Sequence, residues 1–253
     1  MILLPQSPLT LFLLVVIDTT HGWNWIPQDE HPCNVRRLTM DELGAEFGTQ
    51  GLPPLHPDPV VIRTDAARNA ALRAMTARET IVQQFEPGFN VTLSSSNALS
   101  ERRRTIPFEQ YLQEIERVPE TTPRLLSNES WYLFGETYTE PWQHLLQSYQ
   151  LPPCQTCSRD LSALSFGIGN RGSGVQWHTH GPGFSEALHG RKHWILYPPH
   201  HRPPNITKDQ SSRQWMETEY PRVLAAADND FYECTRKCSL SYCISMLCGQ
   251  PCF

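Results

Sequence analysis

The chain has 253 residues and a mass of 29.0 kDa; 39% of its residues are hydrophobic, 19% are charged, and the net charge is −5. That is enough apolar material for one sizeable core, and the charge is too sparse for a mainly disordered chain. The mild acidity argues against a nucleic-acid binder, and the longest basic run, Arg102-Arg103-Arg104, reads as a solvated turn.

In chain order, residues 1–22 come first. They contain a nine-residue apolar stretch from Leu9 to Ile17. A bilayer core needs about twenty such residues, so the stretch fits a secretory signal peptide cleaved near Gly22 rather than a membrane span. Residues 23–58 form an irregular lead-in with one helix over 40–47, where Thr39 and Glu42 make a capping box. A strand is expected at 59–62. Thr64 is expected to cap a helix over 65–75. Two strands, 81–85 and 89–93, would meet at Pro87-Gly88. Thr105 and Pro107 open a helix over 108–118, residues 131–134 read as a strand, and 144–149 as a helix stopped by Pro152-Pro153. The most regular β segment follows, with strands at 164–170, 175–180 and 193–197. From His200 to Pro221 the chain is polar and broken by proline. The 22 prolines and the short strands suggest a mainly β protein with a helical lead-in, built as a barrel or sandwich.

Three sequons, at Asn90, Asn128 and Asn205, have the pattern required for N-glycosylation. Together with the leader they point to the secretory pathway, where disulfides form. Cys154-Gln155-Thr156-Cys157 is a Cys-x-x-Cys motif in a loop without a thioredoxin-like surround. A structural disulfide there, or pairing of one member with Cys33, is expected. Five of the eight cysteines, from Cys234 to Cys252, crowd the last twenty residues, and their spacing does not suit zinc.

Chemistry concentrates between Gly172 and Pro199. On a strand, His178 and His180 share a face, which suits a divalent transition metal. Lys192 precedes the next strand and is placed to meet an anionic co-ligand. The order Trp177-His178-x-His180, then Gly190-Arg191-Lys192-His193-Trp194-Ile195-Leu196-Tyr197-Pro198-Pro199, resembles the first half of a JmjC domain. Pro59–Ile62, Pro107–Leu112 and Trp131–Phe134 resemble the segments that lead into it. The likeness runs over roughly 55–230, with the domain proper at 59–230.

The resemblance implies a cupin-like double-stranded β-helix, with Fe(II) on a two-histidine, one-carboxylate triad and 2-oxoglutarate as co-substrate. His178 matches the first histidine, and Lys192 the lysine that holds the distal carboxylate of 2-oxoglutarate. The chain departs from the pattern twice: His180 stands at the carboxylate position, and no histidine follows His201. Residues 231–253 then read as an atypical cysteine-rich tail in place of the closing strands, which would leave the barrel incomplete and sheet edges unpaired.

A rival reading is a cupin-type metal protein, in which His178, His180 and Glu186 form the ligand set. His189, His193, His200 and His201 read as solvent-facing or hydrogen-bonded. The expectation is a JmjC-fold protein of the endoplasmic reticulum lumen with degraded catalysis. It would act through contacts with proteins of the secretory pathway and have no transmembrane segment. The alternative is an Fe(II)/2-oxoglutarate-dependent protein hydroxylase.

Overall fold

A computed structural model describes residues 9–10, 13–16, 33–53, 56, 58–95, 103–116, 131–135, 137–169, 173–178, 183–198, 201–207, 210–226, 231–237 and 242–248. Two short strands come first, β1 (Leu9–Thr10) and β2 (Leu13–Val16), followed by β3 (Arg36–Thr39) and helix α1 (Met40–Phe47). The capping box forms as the sequence predicts. The Glu42 backbone N–H donates to Thr39 Oγ1 at 3.2 Å, and the Thr39 N–H donates to Glu42 Oε2 at 2.7 Å. Strand β4 (Val60–Asp65) runs past the expected end, so the next helix, α2 (Ala70–Met75), starts late. Asn69 separates the two in the left-handed region at φ 56°, which an α-helix cannot contain. Its side chain compensates: Oδ1 accepts from the Gln150 N–H at 2.6 Å.

The expected strand at 81–85 is instead a 3-10 turn, Ile81–Gln84. Thr80 Oγ1 donates back to the Ala74 and Ala77 carbonyls and holds the chain coiled. Strands β5 (Asn90–Ser95) and β6 (Arg103–Pro107) follow, then helix α3 (Phe108–Glu116) and strand β7 (Trp131–Leu133). Helix α4 (Gln143–Gln147) precedes β8 (Ser162–Ala163) and β9 (Phe166–Gly169). The strand expected at 175–180 does not form over 175–178, which are irregular, and 179–180 lie outside the described residues. Strand β10 (Gly183–Glu186), not foreseen from the sequence, precedes β11 (Arg191–Leu196).

The proline-broken stretch also holds two unforeseen helices, α5 (Ser212–Thr218) and α6 (Tyr220–Ala225). Ser211 caps the first by accepting from the Gln214 N–H at 3.1 Å. Pro221 sits in the first turn of the second, where a missing N–H costs nothing.

The tail is the main correction. It was expected to leave sheet edges unpaired, yet it forms β12 (Tyr232–Lys237) and β13 (Tyr242–Cys248). Strand β12 pairs antiparallel with β11 from Tyr232↔Leu196 to Lys237↔Arg191. Strand β13 inserts between β10 and β4, so one sheet has the order β10-β13-β4-β3. A second sheet has the order β2-β9-β7-β5-β6. The chain is thus mainly β with a helical lead-in, and the cupin-like class holds. The segment read as a leader contributes β1 beside β8 and β2 beside β9, both parallel.

The main core joins both sheets to the lead-in helices, and includes Ile62, Leu72, Leu93, Leu112, Leu145 and Phe166. A separate aromatic cluster, Tyr197, Trp215, Tyr220 and Phe231 with Trp177 packed on it, underlies α5 and α6. Cys33 pairs with Cys234, and Cys154 with Cys157. The local disulfide is therefore the one that forms at the Cys-x-x-Cys motif, and the alternative pairing with Cys33 is excluded.

Candidate functional site

Lys192 and Trp194 alternate onto one face of β11, as residues two apart on a strand must. The Lys192 Nζ lies 3.7 Å from the Trp194 ring centroid and donates to Ser185 Oγ at 3.0 Å. Strands β10 and β11 belong to different sheets, so this hydrogen bond crosses between them. Both partners are neutral. Desolvation pushes the Lys192 ammonium well below the usual lysine range. A cation in such surroundings gains most from an anion brought to it, because the charge pair replaces hydration that the site has already removed. The sequence named Lys192; it did not name Ser185 or Trp194. A hydroxyl residue seven positions earlier carries no signal until the strands are placed.

His178 ends the irregular segment before β10. Its neighbours anchor it: Gln176 Nε2 donates to the Gln210 carbonyl at 2.5 Å, and Trp177 meets Trp215 edge-on at 4.9 Å. His178 Nδ1 lies 2.6 Å from the Gln176 carbonyl, which can only accept, so Nδ1 is the donor and Nε2 is the nitrogen a metal would take. Metal-binding histidines use this arrangement. His180, the second expected ligand, lies outside the described residues.

Three donors are needed, and among the described residues no group of three His, Cys, Asp or Glu side chains is placed to hold a metal ion. The later strands do not supply the missing histidine either: β12 reads Tyr-Glu-Cys-Thr-Arg-Lys and β13 Tyr-Cys-Ile-Ser-Met-Leu-Cys. Among the described residues His178 alone fits iron, and they do not complete a facial triad. Lys192 does fit the carboxylate of 2-oxoglutarate.

Glu186, the proposed cupin ligand, is committed elsewhere. It follows Ser185 on β10 and so points to the opposite face from Lys192. It is fully buried, and its Oε2 accepts from Asn69 Nδ2 at 2.9 Å and from the Tyr149 hydroxyl at 3.0 Å. Its Oε1 has no hydrogen-bond partner among the described residues. Burial raises its pKa, against the pull of those two donors. Glu186 therefore ties β10 to the helical lead-in.

A second buried carboxylate, Glu233 on β12, was not foreseen. Its Oε1 accepts from His193 Nε2 at 2.6 Å and from the Tyr220 hydroxyl. Its backbone N–H donates to Asn34 Oδ1 at 2.7 Å. Burial and the adjacent carboxylate push the Tyr220 hydroxyl upward. His189 Nε2 contacts Thr76 Oγ1 at 3.1 Å, and burial lowers its pKa. Both histidines are hydrogen-bonded, as expected of them.

Of the three sequon asparagines, Asn90 is exposed at the start of β5, and Asn128 lies outside the described residues. Asn205 is exposed at φ 52°, and its Nδ2 donates to Glu219 Oε2 at 2.7 Å. A glycan on that nitrogen leaves one N–H, which is the number the bond uses. Among the described residues no helix is long and apolar enough to cross a membrane.

No family model matches the chain. Individual proteins do. The chain is 36% identical over 203 residues to JmjC domain-containing protein 8 of Rattus norvegicus, spanning 79% of this chain and 70% of that protein. It is 35% identical over 202 residues to the Mus musculus protein of the same name, with the same shares. To that of Homo sapiens it is 33% identical over 199 residues, 79% of this chain and 72% of that protein. With a cupin-like β fold, the ordered His178 and Lys192 motifs and this level of identity, the chain belongs to the JmjC-domain family.

Proposed function

We propose that the chain is a lumenal JmjC-fold protein of the secretory pathway that has lost oxygenase catalysis. It keeps Lys192 as a cradle for a carboxylate and acts through protein contacts. The donor inventory carries this reading. His180 replaces the anionic ligand, residues 202–253 contain no histidine, and Glu186 serves the lead-in. A neutral imidazole does not offset the charge of Fe(II) as a carboxylate does, and two imidazoles leave the triad one donor short. The lumenal address is supported by the apolar stretch from Leu9 to Ile17, by exposed sequon asparagines at positions 90 and 205, and by two disulfides.

The test separates binding from turnover. Calorimetric titration of 2-oxoglutarate into the purified chain is expected to show binding that Lys192→Ala abolishes. A succinate-release assay on the same protein is expected to stay at background. Turnover of 2-oxoglutarate that requires His178, with stoichiometric iron in anaerobically purified protein, overturns the proposal in favour of a protein hydroxylase. That second reading rests on His178, Lys192 and the strand that ends in Pro198-Pro199.

A further inference from the structure

The two disulfides differ in what they hold. Cys33–Cys234 joins residues 201 apart, ties the lead-in to β12, and includes a fully buried sulfur residue, Cys234. Cys154–Cys157 joins residues 3 apart, and both members are partly accessible. The loop carrying the second pair is fastened without it. Leu52 N–H donates to the Pro153 carbonyl at 3.1 Å, and Gln155 N–H donates to the Leu52 carbonyl at 3.0 Å. Gly51, at φ 72°, allows this approach, since a Cβ there would lie 2.2 Å from the Pro153 oxygen. Arg159 donates to the carbonyls of Leu146, Gln147 and Tyr149 at 3.2, 2.9 and 2.6 Å, pinning the other flank of the loop. The Cys154–Cys157 bond is thus redundant for holding the loop in place.

We propose that Cys154–Cys157 is a thiol–disulfide exchange site for dithiol reductants, and that Cys33–Cys234 is the permanent staple. Access and what each opening disturbs set the difference. Opening Cys154–Cys157 leaves the hydrogen bonds of Leu52, Gln155 and Arg159 in place and meets a partly accessible sulfur, whereas opening Cys33–Cys234 requires reaching the fully buried Cys234. The exchange has a direction. A disulfide sulfur carries no hydrogen, so in the Cys154 Sγ contact with Thr156 Oγ1, at 4.0 Å, the hydroxyl is the donor. Developing thiolate charge is therefore better placed on Cys154.

A reagent thiolate attacks Cys157 Sγ, a mixed disulfide forms, the Sγ–Sγ bond breaks, and the electron pair leaves on Cys154, which takes a proton from solvent. The reagent's second thiolate then attacks its own sulfur in the mixed disulfide and releases Cys157 as a thiol. The reagent loses two electrons and two protons as a cyclic disulfide, and the protein pair gains them.

The experiment is a redox titration of the full chain in reduced and oxidised dithiothreitol, quenched with N-ethylmaleimide and read by peptide mass spectrometry. Cys154 and Cys157 are expected to alkylate together, at a lower reductant ratio than Cys33 and Cys234, with circular dichroism unchanged. Thr156→Val is expected to slow the exchange and leave its midpoint in place. Simultaneous reduction of both pairs overturns the proposal, as does loss of fold on opening Cys154–Cys157. An independent check is Cys154→Ser with Cys157→Ser. That variant is expected to fold, and failure to fold equally overturns it.

Discussion

Replacing Cys33 and Cys234 by alanine tests whether the tail belongs to the fold. The chain-entropy relation for a cross-link spanning 201 residues gives about 5 kcal/mol of stabilisation, acting mainly on the unfolded ensemble. For the pair 3 residues apart the same relation gives about 2 kcal/mol. The staple also positions a network. Cys234 follows Glu233, and Asn34, next to Cys33, donates from Nδ2 to the Phe231 carbonyl at 2.8 Å. Asn34 N–H donates to the Glu233 carbonyl at 3.0 Å as well. Those bonds act in the native state and would soften part of the loss. Urea unfolding followed by tryptophan fluorescence should show the Cys33→Ala/Cys234→Ala variant destabilised by about 3–5 kcal/mol. Trp177 and Trp215 report directly on the aromatic cluster beside β12. A loss below about 1 kcal/mol would refute the reasoning, because it would mean that β12 is not held against the lead-in.

Three further predictions follow from single side chains. Tyr111 is buried on α3; its hydroxyl donates to the Ile168 carbonyl at 2.6 Å and accepts from the Leu133 N–H at 3.1 Å. Strands β7 and β9 pair through one residue couple, Leu133↔Ile168, so this hydroxyl completes the junction. Tyr111→Phe removes one atom, strands two buried backbone groups and is expected to cost about 2–4 kcal/mol in denaturant titration. Thr39→Ala removes the α1 cap and is expected to cost about 1 kcal/mol by the same measurement. Glu186 has a folded pKa raised by burial, so its neutral form is the one the fold favours. That contribution is fully present below the unfolded carboxylate range and is lost as pH rises through the raised value. Glu186→Gln keeps the shape without the charge. Melting temperatures should therefore rise relative to the native chain at neutral pH and lose part of their decline between acid and neutral conditions; an unchanged pH profile would contradict the assignment.

Which features the sequence disclosed follows how local they are. The α1 capping box needs only Thr39 and Glu42, three residues apart, and it forms as predicted. The β11 strand and its Pro-Pro stop were equally plain. The helix expected over 65–75 was shortened by tertiary demands: Asn69 takes a left-handed backbone and reaches Gln150 and Glu186, both far along the chain. Periodicity cannot report such a contact. Prolines at 203, 204 and 221 concealed α5 and α6, since proline reads as a breaker unless its place in the first turn is known. The tail misled for a compositional reason. Its cysteines sit within a near-continuous apolar run, Tyr242–Cys248, which forms a strand that pairs on both sides.

The same locality accounts for the uneven survival of the candidate site. The proposed carboxylate cradle uses Ser185, Lys192 and Trp194, all within ten consecutive residues, and its geometry follows once β10 and β11 join their sheets. An iron triad also needs a donor from a distant strand, in register with the first. In this chain the strands that pair with β10 and β11 come from residues 232–248, whose sequence supplies a buried glutamate and a cysteine for structure, with no histidine. Glu233 is itself consumed by His193 and Tyr220. A tail that fills both strand positions can preserve the sheets, and with them the Lys192 cradle, without restoring the metal. Under the proposed function, binding of a carboxylate and turnover of it are therefore separable. A chain that retains the first without the second would still show a ligand-dependent rise in melting temperature, and that rise should vanish in Lys192→Ala and persist in His178→Ala.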